Sequence, residues 1–438
     1  MNSRAKKIIG WSMIGIISLI PVLLLFTLGP EYADFSGYSG ITQGLGEITG
    51  LVGITLFAIT FILSTRIRFI EEAFGGLDKV YIAHGILGGT AFILILSHPV
   101  FLVLKYIPSY IQLASTYLLP SVYWSVNFGI IAIAGLIILI FITLFTRIKY
   151  HTWKFTHEFL GLVFVFAVLH ALLVRGSISK DYIFHGYYIY IGIVSAMGIF
   201  AFLYSLFIKE RIMKNATYLI SKINHKKDIW EIEMTPEHKP INYQSGQFIF
   251  VRFYNEKLSK EAHPFSIASK SNSKNIKLMV KSLGDFTTRL ENLRIKDKVS
   301  IEGPYGRFNF RNQKNHNQIW IAAGIGIAPF LGMVEELENS PDFKVDLYHT
   351  AKDQSELIGY NFLKLFSSKL KNFRYIPWSS GGNKRRIDTK EISRLSGDLM
   401  EKDFFLCGPE NFKEDMIEQL VNVGIKKSHV HEEVFNFR

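Results

Sequence analysis

A chain of 438 residues exceeds one ordinary domain, and two or three are expected. Its formal charge of +12 would suit nucleic acid, but the basic residues gather at the ends of apolar runs, where lipid orientation explains them. The single cysteine, Cys407, excludes an intramolecular disulfide and cannot by itself hold an iron–sulfur cluster.

Crossing a bilayer takes about 20 apolar residues in a helix, and six segments qualify: 8–28, 46–64, 78–104, 124–145, 153–174 and 185–208. The first reads as a retained helix, not a cleaved signal peptide. Arg4, Lys6 and Lys7 precede it; Arg66, Arg68 and Lys79 follow the second span; Arg147, Lys149 and Lys154 follow the fourth; Lys209, Arg211 and Lys214 follow the sixth. The alternate loops are poorer in Lys and Arg. The positive-inside rule therefore puts both termini, and everything after the sixth span, in the cytoplasm. From 216 to 311 short alternating runs read as a small antiparallel barrel. From 317 apolar strands (Ile319–Ala323, Lys344–Tyr348, Arg374–Pro377, Phe404–Cys407) alternate with amphipathic helices, the rhythm of a nucleotide-binding parallel sheet.

Ionisable groups inside a span are costly and usually functional. The third span carries His84 and His98, 14 residues apart and so on one helix face about 21 Å apart. The fifth carries His157 and His170, 13 residues apart, which share a face only if that helix is tightened or kinked. The two helices run the same way. His84 thus pairs with His157 near the cytoplasmic side and His98 with His170 near the outer side, each pair able to grip an iron from both sides. Gly85, Gly88, Gly89 and Gly161 would let a flat macrocycle approach. One membrane histidine more often just bonds a neighbouring helix; four in matching pairs argue for ligation. His151 and His185, at helix ends, read as surface residues. Phe164, midway between the fifth-span histidines, reads as packing, with bridging between two haems as the alternative.

The soluble half carries three motifs. His263, Pro264, Phe265 and Ser266 end a strand and offer a hydroxyl and an aromatic wall to a flavin ring. Lys281 precedes Gly284, Asp285, Phe286 and Thr287, which suit either a phosphate at a helix start or an ordinary cap. Gly324, Gly326 and Pro329 form a strand–turn–helix that departs from the full dinucleotide fingerprint at its last glycine, yet suits pyrophosphate. Cys407, Gly408 and Pro409 end a strand at the carboxyl edge, where such sheets bind ligands; as a bland alternative, Cys407 is a buried small hydrophobe. The chain closes on Glu432, Glu433, Val434, Phe435, Asn436, Phe437 and Arg438, with an aromatic that needs a surface to cover.

Together these residues resemble the ferric-reductase and NADPH-oxidase superfamily, and most closely its bacterial NADPH-oxidase-like members. The resemblance runs from the second span to the C-terminus. It implies a six-helix transmembrane bundle holding two b-type haems (residues 1–210), an FAD-binding β-barrel (211–311) and an α/β NAD(P)H-binding domain (312–438). It makes His84, His98, His157 and His170 the haem ligands and His263–Ser266 and Gly284–Thr287 the flavin motifs. It sets Lys281 near the flavin pyrophosphate, Gly324, Gly326, Pro329 and Cys407–Pro409 at the nicotinamide, and Phe435, in preference to Phe437, on the flavin. Cys407, Ser266, Phe435 and Glu433 are the catalytic candidates. The family's oxygen-side histidine is replaced by Leu102, and the outer end of the second span lacks an arginine. Nor has the loop after the second nucleotide strand, His349-Thr350-Ala351-Lys352, the usual phosphate-binding arginine; Lys352, Lys384, Arg385 and Arg386 remain to hold a 2′-phosphate, or form a solvated face.

The expected activity carries electrons from cytosolic NADPH, or NADH, through FAD and two haems to an acceptor outside the cell membrane. That acceptor is dioxygen, giving superoxide, or alternatively a ferric chelate. Two other classes are a haem anchor relaying electrons between partner proteins and a transporter using the histidines as a proton relay. No nucleic acid and no obligatory protein partner are expected.

Overall fold

The computed structural model describes residues 3–28, 35–107, 109–146, 148–174, 183–209, 216–381 and 385–433. It divides into two compact units, Met1–Ile212 and Met213–Arg438.

The first unit is helical: α1 (Ser3–Leu28), α2 (Gly37–Ser64), α3 (Arg68–Phe74), α4 (Leu77–Leu104), α5 (Ile111–Thr116), α6 (Trp124–Phe145), α7 (Tyr150–Glu158), α8 (Leu160–Leu173) and α9 (Ile183–Leu203). Among the described residues, six helical stretches are long and apolar enough to cross a membrane: Ile8–Thr27, Gly37–Ser64, Leu77–Leu104, Trp124–Phe145, Tyr150–Leu173 and Tyr188–Ile208. The second begins nine residues earlier than hydropathy alone suggests, with small polar residues in its first turns, and the helix packs on α4. A Cβ on Gly46 would lie 2.7 Å from Leu102, and one on Gly53 2.8 Å from Ile95. Small residues at that seam are what let the two backbones close up. Between α3 and α4 the chain turns through Gly75, whose φ of 81° is cheap only for glycine and whose N–H caps α3 at Glu71.

The fifth span is broken, as the 13-residue histidine spacing requires. Helix α7 ends at Glu158, and the Phe159 N–H bonds back three residues to Thr156 before α8 starts. A three-residue step winds the chain more tightly than an α-turn and so rotates the face that α8 presents.

In the second unit, β1 (Ala216–Lys226), β2 (Ile229–Pro236), β3 (Phe248–Tyr254), β4 (His263–Ser266), β5 (Ile276–Lys281) and β6 (Lys298–Tyr305) form an antiparallel sheet in the order β4-β3-β6-β1-β2-β5. A bridge between Ile267 and Leu278 joins the two edges and closes it into a barrel. A single turn, α10 (Asp285–Thr288), interrupts it. Next, β7 (Asn317–Ala323), β8 (Lys344–Ala351), β9 (Phe373–Ser379), β10 (Asp403–Cys407) and β11 (Val430–Glu432) make a parallel sheet in the order β11-β10-β7-β8-β9. Helices α11 (Ala328–Leu337), α12 (Tyr360–Lys369), α13 (Thr389–Ser396) and α14 (Glu410–Asn422) connect the strands. Strand β11 carries no long apolar run, so nothing in the sequence marks it. Residues 349–351, expected in a loop, instead extend β8.

Candidate functional site

In the membrane unit the four histidines meet in the two expected pairs. The ring centres of His84 and His157 are 6.2 Å apart, and those of His98 and His170 are also 6.2 Å apart. Metal–imidazole bonds of about 2 Å, with each nitrogen about 1.1 Å from its ring centre, put two rings on one iron about 6 Å apart.

The protein also selects the nitrogen. Nδ1 of His84 bonds the Thr60 carbonyl at 2.9 Å, that of His98 the Gly46 carbonyl at 2.7 Å, and that of His170 the Ser125 carbonyl at 2.7 Å. A carbonyl only accepts, so each Nδ1 carries the proton and Nε2 keeps its lone pair for a metal. His157 reaches the same state differently. Its Nδ1 is 3.3 Å from the Thr143 hydroxyl, whose proton is given to Leu139, and Trp153 stacks on its ring at 5.1 Å. These residues fit bis-imidazole haem ligation on both levels.

Glycine makes the arrangement possible at positions that sequence reasoning missed. A Cβ on Gly50 would stand 2.7 Å from Nδ1 of His98, and one on Gly129 2.7 Å from Nδ1 of His170. Neither is near its ligand in sequence, so nothing marked them. A Cβ on Gly85, Gly88 or Gly89 meets nothing within 4 Å, which leaves that side of α4 bare, as expected. Gly161 is a correction: the Phe202 ring fills its place, 2.1 Å from a Cβ there, so it serves helix packing. Phe164 is fully buried between Phe57 and Phe61, with ring centres 5.2 Å from each, the packing role expected of it. The first turns of α2 have no arginine, but the end of α4 supplies a cation there: Lys105 Nζ donates to Gln43 at 2.6 Å, and Gln43 donates to Glu47 at 2.9 Å. The side chain of His185 lies outside the described residues.

In the second unit the two flavin motifs touch. The His263 ring stacks on Phe286 with centres 3.6 Å apart, and burial lowers the His263 pKa to about 4, so the ring is neutral. Pro264 and Phe265 pair across to Phe250 and Ile249 of β3. At Gly284–Thr287 the cap reading accounts for the contacts seen: Thr287 Oγ1 accepts from the N–H groups of Leu283 and Gly284, and Asp285 accepts from Phe286. Lys281 pairs with Asp228 at 3.2 Å.

At the carboxyl edge of the parallel sheet the turn after β7 lies against the end of β10. A Cβ on Gly326 would sit 2.2 Å from the Cys407 carbonyl oxygen, and one on Gly408 2.8 Å from Ala323. Both glycines are demanded by this contact. Gly324 has φ of 56° and open space around it, and Pro329 sits in the first turn of α11, where its missing N–H costs nothing. Buried Cys407 donates to Glu433 Oε2 across 3.7 Å, and Ser266 donates to the same oxygen at 3.1 Å. Three of the four catalytic candidates therefore converge from β4, β10 and the residue after β11. Burial first, then the Glu433 charge, pushes the Cys407 thiol up, which keeps it a neutral donor. Phe435, Phe437 and Lys384 lie outside the described residues. Lys352, Arg385 and Arg386 are exposed beyond the strand ends. His349 is fully buried at the same edge beside Tyr375, its pKa lowered by burial to about 4.

The sequence matches three family models: a ferric reductase like transmembrane component over residues 49–168, an FAD-binding domain over 213–309 and an oxidoreductase NAD-binding domain over 320–418. The chain has the ferric reductase/NADPH-oxidase-like architecture. It is a multi-pass membrane protein that carries an FAD-binding domain and an oxidoreductase NAD-binding domain. Similar curated proteins include the phenol hydroxylase P5 protein of Acinetobacter pittii, 29% identical over 45% of this chain and 59% of its own length. The anthranilate 1,2-dioxygenase electron transfer component of Acinetobacter baylyi is 24% identical over 47% of this chain and 62% of its own. The chain thus spans about three-fifths of the length of these relatives. The flavohemoglobin of Malassezia yamatoensis, solved with bound FAD and heme, shares the fold at a TM-score of 0.50 and 17% identity over 95% of this chain and 98% of that one.

Proposed function

We propose that this oxidoreductase carries electrons from cytosolic NADPH, or NADH, across the cell membrane to an external acceptor, dioxygen giving superoxide. In this reading residues 1–210 hold two b-type haems, 211–311 hold FAD and 312–438 bind the nicotinamide nucleotide, with both termini and the flavin module cytoplasmic. The observation that carries it is the pair of histidine couples, each with Nδ1 occupied and ring centres 6.2 Å apart, in a chain that also holds flavin and nicotinamide domains.

Bound FAD accepts a hydride and releases single electrons, and bound haems pass single electrons on. The chain supplies orientation. Thr60, Gly46, Ser125 and Thr143 hold the imidazole tautomers that leave Nε2 free to ligate. Ser266, Cys407 and Glu433 form the polar cluster beside which hydride would pass, with Cys407 neutral and Glu433 as the shared acceptor. Phe435, two residues further on, would cover the flavin until the nicotinamide displaces it.

The test is the visible spectrum of the purified protein before and after anaerobic NADPH. A haem band that shifts to its reduced form supports the reading; a colourless protein refutes it and favours the proton-relay alternative. Superoxide trapped in a dismutase-sensitive assay, set against ferrous iron trapped anaerobically from a ferric chelate, then decides the acceptor.

A further inference from the structure

Lys413, on the first turn of α14, has a side chain only 1% exposed. An ammonium has three N–H donors, and each of these finds an acceptor. They are Glu410 Oε2 at 3.0 Å, Glu432 Oε2 at 3.2 Å and the backbone carbonyl of Glu433 at 3.0 Å. Burying a lysine is costly unless it is paired in this way. The two carboxylates are each more than a third exposed and stay hydrated without it. The third acceptor belongs to the residue whose side chain meets Ser266 and Cys407.

The sheet alone holds Glu433 weakly. Strand β11 is a three-residue edge strand whose last pairing is Glu432 with Leu406. Glu433 lies one residue past that ladder, and its backbone N–H reaches the Leu406 carbonyl at 3.3 Å. A bond of that length is weak. Lys413 ties the Glu433 carbonyl at 3.0 Å, from a helix that starts directly after Cys407-Gly408-Pro409. It therefore fixes Glu433 relative to the strand end that carries Cys407.

We propose that Lys413 is a positioning residue for hydride transfer, clamping the Glu433 backbone so that its carboxylate bridges Ser266 and Cys407. The inference rests on reading that trio as the hydride-transfer site. It adds a residue that touches neither nucleotide nor flavin and acts through Glu433.

The experiment is stopped-flow reduction of flavin by NADPH and by NADH in the full-length purified protein, comparing wild type, K413M, K413R, E433A and K413M/E433A. Small displacements of an orienting group cost up to about 100-fold in rate. The expected result for K413M is a limiting rate about 10- to 100-fold lower, with half-saturation by nucleotide moved less than about threefold. K413R restores most of the rate. In the E433A background, K413M changes the rate less than about twofold, because groups that act through one another are non-additive. If K413M does not retain FAD, K413Q, which keeps a donor for the Glu433 carbonyl, replaces it in the same comparison. A normal limiting rate in K413M overturns the proposal. So does an equal fold-loss with and without Glu433, which would make Lys413 a fold staple only. Wild-type flavin left oxidised by both nucleotides overturns the reading of the trio, and the clamp with it.

Discussion

Replacing Gly50 by alanine puts a methyl carbon 2.7 Å from Nδ1, 3.0 Å from Cε1 and 3.2 Å from Cγ of His98. Ordinary contact begins near 3.4 Å, so the ring must retreat by about 0.7 Å or α2 must back away from α4. The ring has little freedom, because its Nδ1–H is held at 2.7 Å by the Gly46 carbonyl one turn away on the same helix as Gly50. Overpacking of this kind costs about 1–3 kcal/mol. Falling on one ligand, that is about a tenfold to 100-fold weaker hold on the haem proposed between His98 and His170, with the His84/His157 pair untouched. The assay is the haem-to-protein ratio with a reductive titration; on the proposed two-haem reading the ratio drops from about two toward one. G129A should do the same through His170, where the methyl again falls 2.7 Å from Nδ1. G15A, on α1 with nothing within 4 Å, is the control. Two haems of unchanged spectrum in both G50A and G129A would refute the account of how His98 and His170 are oriented.

H98A should lose one haem and stop turnover to the external acceptor while NADPH still reduces the flavin; turnover that survives removes the outer pair from the path. G326A forces a methyl to 2.2 Å from the Cys407 carbonyl, so the turn after β7 must part from β10. Flavin reduction by NADPH should fall at least about tenfold with FAD retained, measured by stopped flow, since misplacement by about an ångström costs up to 100-fold. Finally, His349 and His263 have pKa values lowered to about 4, so the unfolded chain binds more protons than the folded one between about pH 4 and 6.5. Stability of the soluble unit should therefore be full above pH 6.5, fall as pH drops toward 4, and level off below. For buried His349 the whole effect is on the order of 3 kcal/mol. FAD release on heating at stepped pH reads it, and a flat profile across that window would contradict the burial of both rings.

Much of this protein is written in one dimension. Runs of about 20 apolar residues can satisfy their backbone in lipid only as helices, so the spans are legible from composition. The histidine spacing, set against a 3.6-residue turn, shows that the fifth span must depart from an ideal helix, and the step at Phe159 is where it does. The alternating runs of the barrel and the strand–turn–helix at Gly324 are likewise local patterns. Other features depend on which segments meet. Gly50 and Gly129 are glycines because a ring from another helix lies on them, and Gly161 belongs to Phe202 for the same reason. Edge strand β11 forms because β10 offers it a ladder, not through any apolar run of its own. The convergence of Ser266, Cys407 and Glu433 on one oxygen joins residues up to 167 apart in sequence. Periodicity records what a residue does within its own helix or strand; which tautomer a histidine holds, and which carboxylate a thiol meets, is decided only when distant segments pack.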